Sequence, residues 1–364
     1  MTWQGIEGHD AIVARFRLAL ARGRLASTFL FVGPAGIGKR AFTLKLTQTL
    51  LCQNAPPELL EPCGVCPGCL QVLAGTHPDL HLVTKPSDKG QIPISAFIGE
   101  DGRRMREGLC HDIALKPFMG GRRVAIIDDA DYLNEEGANS LLKTLEEPPP
   151  RSVLILIATS LERQLPTIRS RAQVVRFARL DDEVIARLLL AEGDVSDPRD
   201  AARLASFAEG SLERARELHD PELWSFRGEL LGALCERPLA SVRLAERLEA
   251  FVNEAGKEAS ARRARCRLSM SFAVALFRET IRSSVGLSTA NDAELVAAAH
   301  RAVGVWGGQT DLAIALVDRT IEALNQVDRN ANQSTLIAAW LDDLAEMIDR
   351  GRPLSLGRRQ SLSV

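Results

Sequence analysis

Five short runs of Val, Ile, Leu and Phe punctuate the first half of the chain, at residues 28–32, 80–84, 123–128, 153–159 and 173–177. Each is nearly continuous in apolar residues rather than alternating, the pattern of strands buried on both faces of a parallel sheet. Helical stretches separate them, which predicts a doubly wound α/β domain. After about residue 180 the strand signals stop. Ala, Leu, Arg and Glu then recur at helical spacing, first as short helices broken near Gly193 and Gly210 and then as long amphipathic ones such as 311–327 and 333–350. The tail 351–364, rich in Arg, Ser and Gly, is expected to be disordered. No internal repeat is found.

Composition narrows the class without deciding it. The 364 residues suit two or three domains of about 100–200 residues. With 46% hydrophobic and 25% charged residues, the chain reads as an ordinary globular protein. A formal charge of −2 supplies no global field for nucleic acid, so any such contact must come from a local patch or through partners. No apolar run reaches the roughly 18 residues of a membrane span. The first residues carry neither a basic nor an apolar leader segment, so a secretory signal is not expected and a cytoplasmic location is.

The first run leads directly into Gly33-Pro-Ala-Gly36-Ile-Gly38-Lys39-Arg40 and then into a helical stretch. Strand, glycine-rich loop and helix are the setting of a phosphate-binding loop, where backbone N–H groups and the helix N-terminus surround phosphate oxygens and Lys39 neutralises them. The plain alternative is a strand–helix turn with no ligand. The motif ends in Ser or Thr, whose hydroxyl holds Mg²⁺, but this chain has Arg40 there. A cation at that position disfavours Mg²⁺ and metal-assisted hydrolysis. ATP binding with the guanidinium on phosphate, or no nucleotide at all, both remain open.

The third run ends in Asp128-Asp129, the position of the Mg²⁺-holding and water-orienting acids of phosphate-loop ATPases. Asp129 is a methylene shorter than the usual Glu, and the two could equally be carboxylates that begin a loop. Thr159, ending the fourth run, and Arg214, opening a helix after Gly210-Ser211, are candidate contacts to a γ-phosphate.

Four of the seven cysteines form Cys52-x10-Cys63-x2-Cys66-x2-Cys69. Four thiolates at this spacing close a tetrahedral Zn²⁺ site with no open position, hence a structural one. Buried unligated thiols, or His77 or His81 in place of one cysteine, are the rivals. Cys110, Cys235 and Cys266 read as packing residues. The basic clusters Arg103, Arg104 and Arg106, and Arg262, Arg263 and Arg265, are candidates for phosphate backbone or simply solvated helix faces.

The segments Leu30 to Lys39, the cysteine insert, Gly75-Thr-His-Pro-Asp79, Gly137 to Pro148 and Leu165-Pro-Thr-Ile-Arg-Ser-Arg171 together resemble the delta-prime family of bacterial DNA polymerase III clamp-loader subunits. The likeness is close over about residues 5–215 and only general beyond. It implies an AAA+ phosphate-loop α/β domain with a parallel sheet at 1–179, bearing a zinc-binding insert at 52–69. A small helical lid would follow at 180–220 and an all-helical oligomerisation collar at 221–350. It also implies a hetero-pentameric ring with tau/gamma and delta subunits, meeting the sliding clamp and primer–template DNA through the complex. The chain would be the stator of that ring. The family's Ser-Arg-Cys motif falls on Ser170-Arg171-Ala172, so its arginine finger, which acts on ATP held by a neighbouring subunit, carries over to Arg171. The alternatives are an ATP-hydrolysing motor subunit of the tau/gamma kind, favoured by the intact Gly33–Lys39 loop, and an unrelated zinc-containing AAA+ protein.

Overall fold

The computed structural model describes residues 3–86, 89–119, 121–287, 292–329 and 331–352. Residues 353–364 of the tail lie outside the described residues. The chain divides into two compact units, Met1–His219 and Asp220–Val364.

The first unit is built on five parallel strands: β1 (Thr28–Val32), β2 (Leu80–Val83), β3 (Arg123–Ile127), β4 (Ser152–Ala158) and β5 (Gln173–Arg176). Their order is β2-β3-β4-β1-β5. All five apolar runs became strands. Thr84, Asp128, Thr159 and Phe177 fall just past the ends, which puts the last three in the loops at the sheet's C-terminal edge. Every residue of β1 and of β4 is buried. This accounts for their unbroken apolar character, since helices cover both faces. On one face Phe29 and Phe31 meet Phe16, Phe42 and Phe177 in a cluster of tilted and edge-on rings with centroids 5.1–6.0 Å apart. On the other, Leu30 and Val32 join a core that includes Phe97, Leu141, Leu145 and Ile168.

Three short helices follow β5, Asp182–Ala191, Pro198–Phe207 and Leu212–Glu217, and belong to the same compact unit. The last two begin on side-chain caps, Asp197 and Ser211, that satisfy first-turn N–H groups.

In the second unit the described residues form long helices, among them Pro221–Leu234, Ala259–Ser284, Thr310–Asp328 and Gln333–Arg350. The last ends at Gly351 in the left-handed region, the usual helix stop. Trp306 and Trp340 fill its interior, and Trp340 Nε1 donates to Thr320 Oγ1 at 3.1 Å. Arg227 is 2% exposed, yet its charge is matched by Asp292 and Glu294, and its guanidinium lies 5.5 Å from the Trp224 ring. Among the described residues no helix is long and apolar enough to cross a membrane.

Candidate functional site

Parallel strands place the loops after β1, β3 and β4 side by side at one edge of the sheet. Val32 is level with Ala158, and Ile127 with Leu156. The glycine loop, Asp128–Asp129 and Thr159 are therefore brought together, as expected of an α/β site at strand C-terminal ends. They line one cavity of about 600 Å³ with Gly36, Gly38, Lys39 and Arg40. Gly33 lies beneath it, packed so closely that a β-carbon would collide with the Phe177 carbonyl and lie 2.8 Å from Ile37 Cδ1. Gly38 caps the helix Lys39–Leu51 from the left-handed region, at φ 92°.

The charges in this cavity are arranged against a polyphosphate. Lys39 is buried and folds back on its own loop, donating to the Gly33 carbonyl at 2.6 Å and to the Pro34 carbonyl. Burial lowers the Lys39 pKa, while Asp131, Asp128 and Glu213 work to raise it. Arg40 Nε stands 3.4 Å from Asp128 Oδ2. Burial, and then the charge of Asp129, push the Asp128 carboxyl up, against the opposing pull of Arg40. Asp131 is engaged structurally: it accepts from the Thr159 N–H at 2.6 Å and from Gln164 Nε2 at 2.9 Å.

The helix Leu212–Glu217 closes the cavity from above. Leu212 N–H donates to the Gly36 carbonyl at 2.9 Å. Gly36 has φ +71°, and a β-carbon there would strike Ser211 Oγ and lie 2.6 Å from Glu213 Cβ. The charged residues this helix turns to the cavity are Glu213 and, one helical turn on, Arg216, itself paired with Glu192 and bonded to Asp194 at 2.7 Å. Arg214 does not line the cavity; its guanidinium lies 3.4 Å from Glu209. Helical spacing groups Glu213 with Arg216 on one face and sets Arg214 apart, but only the contact of Leu212 with Gly36 decides which face meets the loop. Five carboxylates thus face three cations around the phosphate loop.

Arg171 lies away from this cavity, just beyond the short helix Pro166–Arg169. Its Nε donates to Glu146 Oε1 at 2.9 Å, and Nη1 reaches the Thr167 carbonyl and Ser170 Oγ, both at 3.1 Å.

The thiols of Cys52, Cys63, Cys66 and Cys69 lie within 4.8 Å of one another. Cys52 and Cys66 sulfurs are 3.9 Å apart, close to the edge of a tetrahedron with ~2.3 Å metal–sulfur bonds. Backbone N–H groups of Cys63, Cys66 and Cys69 point at the sulfurs of Cys52, Cys63 and Cys66 at 3.3–3.5 Å. At Cys66 burial works to raise the pKa, but N–H donors from Gln53 and Cys69 outweigh it and the thiol is drawn down to about 6. Cys69 is pushed up, first by burial and then by its sulfur neighbours. Crowded thiolates that oppose one another's ionisation are what a divalent cation would relieve, so the four residues fit a metal ion. Neither His77, whose Nδ1 accepts from Asp79 N–H, nor His81, 2.9 Å from Asp112, joins them.

Among the described residues, three of the six arginines in the two basic clusters are ion-paired locally. Arg103 pairs with Glu107, Arg104 with Asp101 and Arg265 with Asp220.

A parallel sheet in the order β2-β3-β4-β1-β5, with a phosphate loop after β1, acids after β3 and a small helical group closing on that loop, is the AAA+ form of the phosphate-loop fold. The family described as "DNA polymerase III, delta subunit" matches residues 8–181, just under half of the chain, and that segment carries the family's domain. The chain is 34% identical over 229 residues to DNA polymerase III subunit delta' of Pseudomonas aeruginosa, covering 62% of this chain and 66% of that protein. It is 33% identical to the delta' subunit of Escherichia coli over 58% of this chain and 60% of the other. Against subunit tau of Escherichia coli the identity is 31%, over 70% of this chain and 40% of the other. The chain therefore spans just under two thirds, or less, of these relatives' own lengths. A solved gamma subunit-related protein of Thermotoga maritima aligns over 92% of this chain and 99% of its own, with 18% identity and a TM-score of 0.42.

Proposed function

We propose that this protein is a clamp-loader subunit of a bacterial replicative DNA polymerase, acting as a stator that lends Arg171 to ATP bound by a neighbouring subunit. The observation that carries the reading is the contrast between its two nucleotide-related features. Its own phosphate loop has Lys39 turned inward, Arg40 on Asp128 and Glu213 against Gly36, while Arg171 sits partly exposed outside that cavity. A subunit so built contributes little hydrolysis of its own and acts through the guanidinium it presents. Its partners in this reading are tau/gamma and delta subunits in a hetero-pentameric ring, with the sliding clamp and primer–template DNA reached through that ring, in the cytoplasm. The four cysteines hold a structural Zn²⁺, which ties the insert together and takes no part in chemistry.

The test is reconstitution with the other clamp-loader subunits of the same organism. The isolated chain should show no ATPase above background. Arg171→Ala should assemble normally and slow hydrolysis at the neighbour's ATP site by about 10³-fold or more, the scale of an arginine finger, which lowers the ATPase of the complex. Full activity of the complex with Arg171→Ala rejects the reading. Motor-like hydrolysis by the isolated chain would favour the second reading, a tau/gamma-like ATPase, which the complete Gly33–Lys39 loop and the likeness to tau support.

A further inference from the structure

Glu146 is the last residue of the helix Glu135–Glu146. A carboxylate there opposes the negative end of the helix dipole, and lysine or arginine would suit the position better. Arg171 compensates this charge: its Nε donates to Glu146 Oε1 at 2.9 Å, and Nη2 lies 2.7 Å from the same oxygen. The two side chains rise from backbone that the core holds in place. Leu145, beside Glu146, and Ile168, in the turn before Arg171, are 4% and 1% exposed and belong to one apolar cluster. Arg171 N–H also bonds the Ile168 carbonyl at 3.1 Å. The remaining guanidinium end, Nη1, rests only on the neutral acceptors Thr167 O and Ser170 Oγ.

We propose that Glu146 is a positioning residue for Arg171: it grips the Nε–Nη2 edge so that the opposite end of the guanidinium can exchange its neutral acceptors for phosphate oxygens of a neighbour's nucleotide. The proposal rests on the trans role of Arg171 given above. An exposed ion pair contributes little stability by itself. Its value lies in fixing a long side chain that otherwise loses its rotamer freedom at the moment of use. Because Thr167 and Ser170 offer no charge, a polyphosphate outcompetes them, whereas the Glu146 contact can persist through the exchange.

Two measurements test this. In the isolated chain, the side-chain Nε–H of Arg171 should give an NMR signal protected from solvent exchange; Glu146→Gln, which keeps an acceptor but loses the charge, should weaken that protection, and Glu146→Ala should abolish it. In the reconstituted complex, Glu146→Gln should lower kcat for ATP hydrolysis about tenfold, a part of the roughly 10²-fold that a misplaced catalytic group can cost, with KM for ATP unchanged. Glu146→Asp should recover part of the loss. Adding Glu146→Gln to Arg171→Ala should change nothing further. If Arg171→Ala lowers the rate and Glu146→Gln does not, the positioning role falls and the trans role stands. If Arg171→Ala has no effect, both fall. An unprotected Nε–H in the isolated chain also overturns the proposal.

Discussion

The acidic lining of the phosphate-loop cavity makes a quantitative demand on nucleotide affinity. Glu213 lies against Gly36, and Arg40 pairs with Asp128. Two unit charges about 8 Å apart interact by roughly 2 kcal/mol at an effective dielectric of 20 and about 0.5 kcal/mol in bulk water. Glu213→Gln removes one such repulsion, and Glu213→Arg replaces it with an attraction, so the reversal is worth about 1–4 kcal/mol. Taking roughly 2 kcal/mol, ATP should bind about 30-fold more tightly to Glu213→Arg than to the parent. Arg40→Thr adds the missing metal ligand, so the double variant should show a Mg²⁺ dependence that neither the parent nor Glu213→Arg shows. Calorimetric titration of ATP with and without Mg²⁺, with Glu213→Gln as the control for bulk, reads both effects. If the double variant binds ATP no more tightly than the parent, charge is not what governs this site. If the parent itself binds MgATP tightly, the reasoning from Lys39, Arg40 and Glu213 is refuted.

Two further predictions concern the same unit. Removing metal with a chelator, or replacing the buried Cys69 by Ser, should destabilise it by about 3 kcal/mol, within the range for a lost metal site, and lower its melting temperature by roughly 10 °C; less than half an equivalent of zinc in the purified protein would discredit the site. His9 is buried with Nε2–H donating to the Ile37 carbonyl at 2.7 Å, and burial holds its folded pKa below the ordinary 6.5. The unfolded chain therefore takes up the proton first as pH falls below about 6.5. His9 adds nothing above that pH and costs up to about 1.4 kcal/mol by pH 5.5. His9→Gln should show a smaller loss of urea resistance between pH 7.5 and 5.5 than the parent; an equal loss would contradict the assignment.

The sheet was legible because its signal is local and repeated. Fully buried parallel strands leave uninterrupted apolar runs, and the glycines, acids and Thr159 that follow them sit at strand ends that parallel pairing must align. The cysteine spacing was legible for a similar reason, since four thiols within 18 residues have few ways to be apart. What could not be read was the orientation of side chains arriving from distant elements. Arg40 on Asp128 joins positions 88 residues apart, and nothing local to either discloses whether the arginine faces a phosphate or the carboxylate.

The clearest case is the helix after Ser211. On sequence Arg214 is the attractive candidate because a cation suits a phosphate, but candidacy by charge ignores the angle at which the helix meets the loop. Ser211 caps the first turn, and Leu212 N–H is fixed on the Gly36 carbonyl. With that anchor set, the roughly 100° between successive helical residues decides which side chain lies over the loop. It is Glu213, joined three residues later by Arg216, which is already paired with Glu192. A rotation of one residue would have offered the loop a cation. The observed register gives it a carboxylate, so the lid that closes on this phosphate loop brings the same sign of charge as the ligand the loop is shaped to hold.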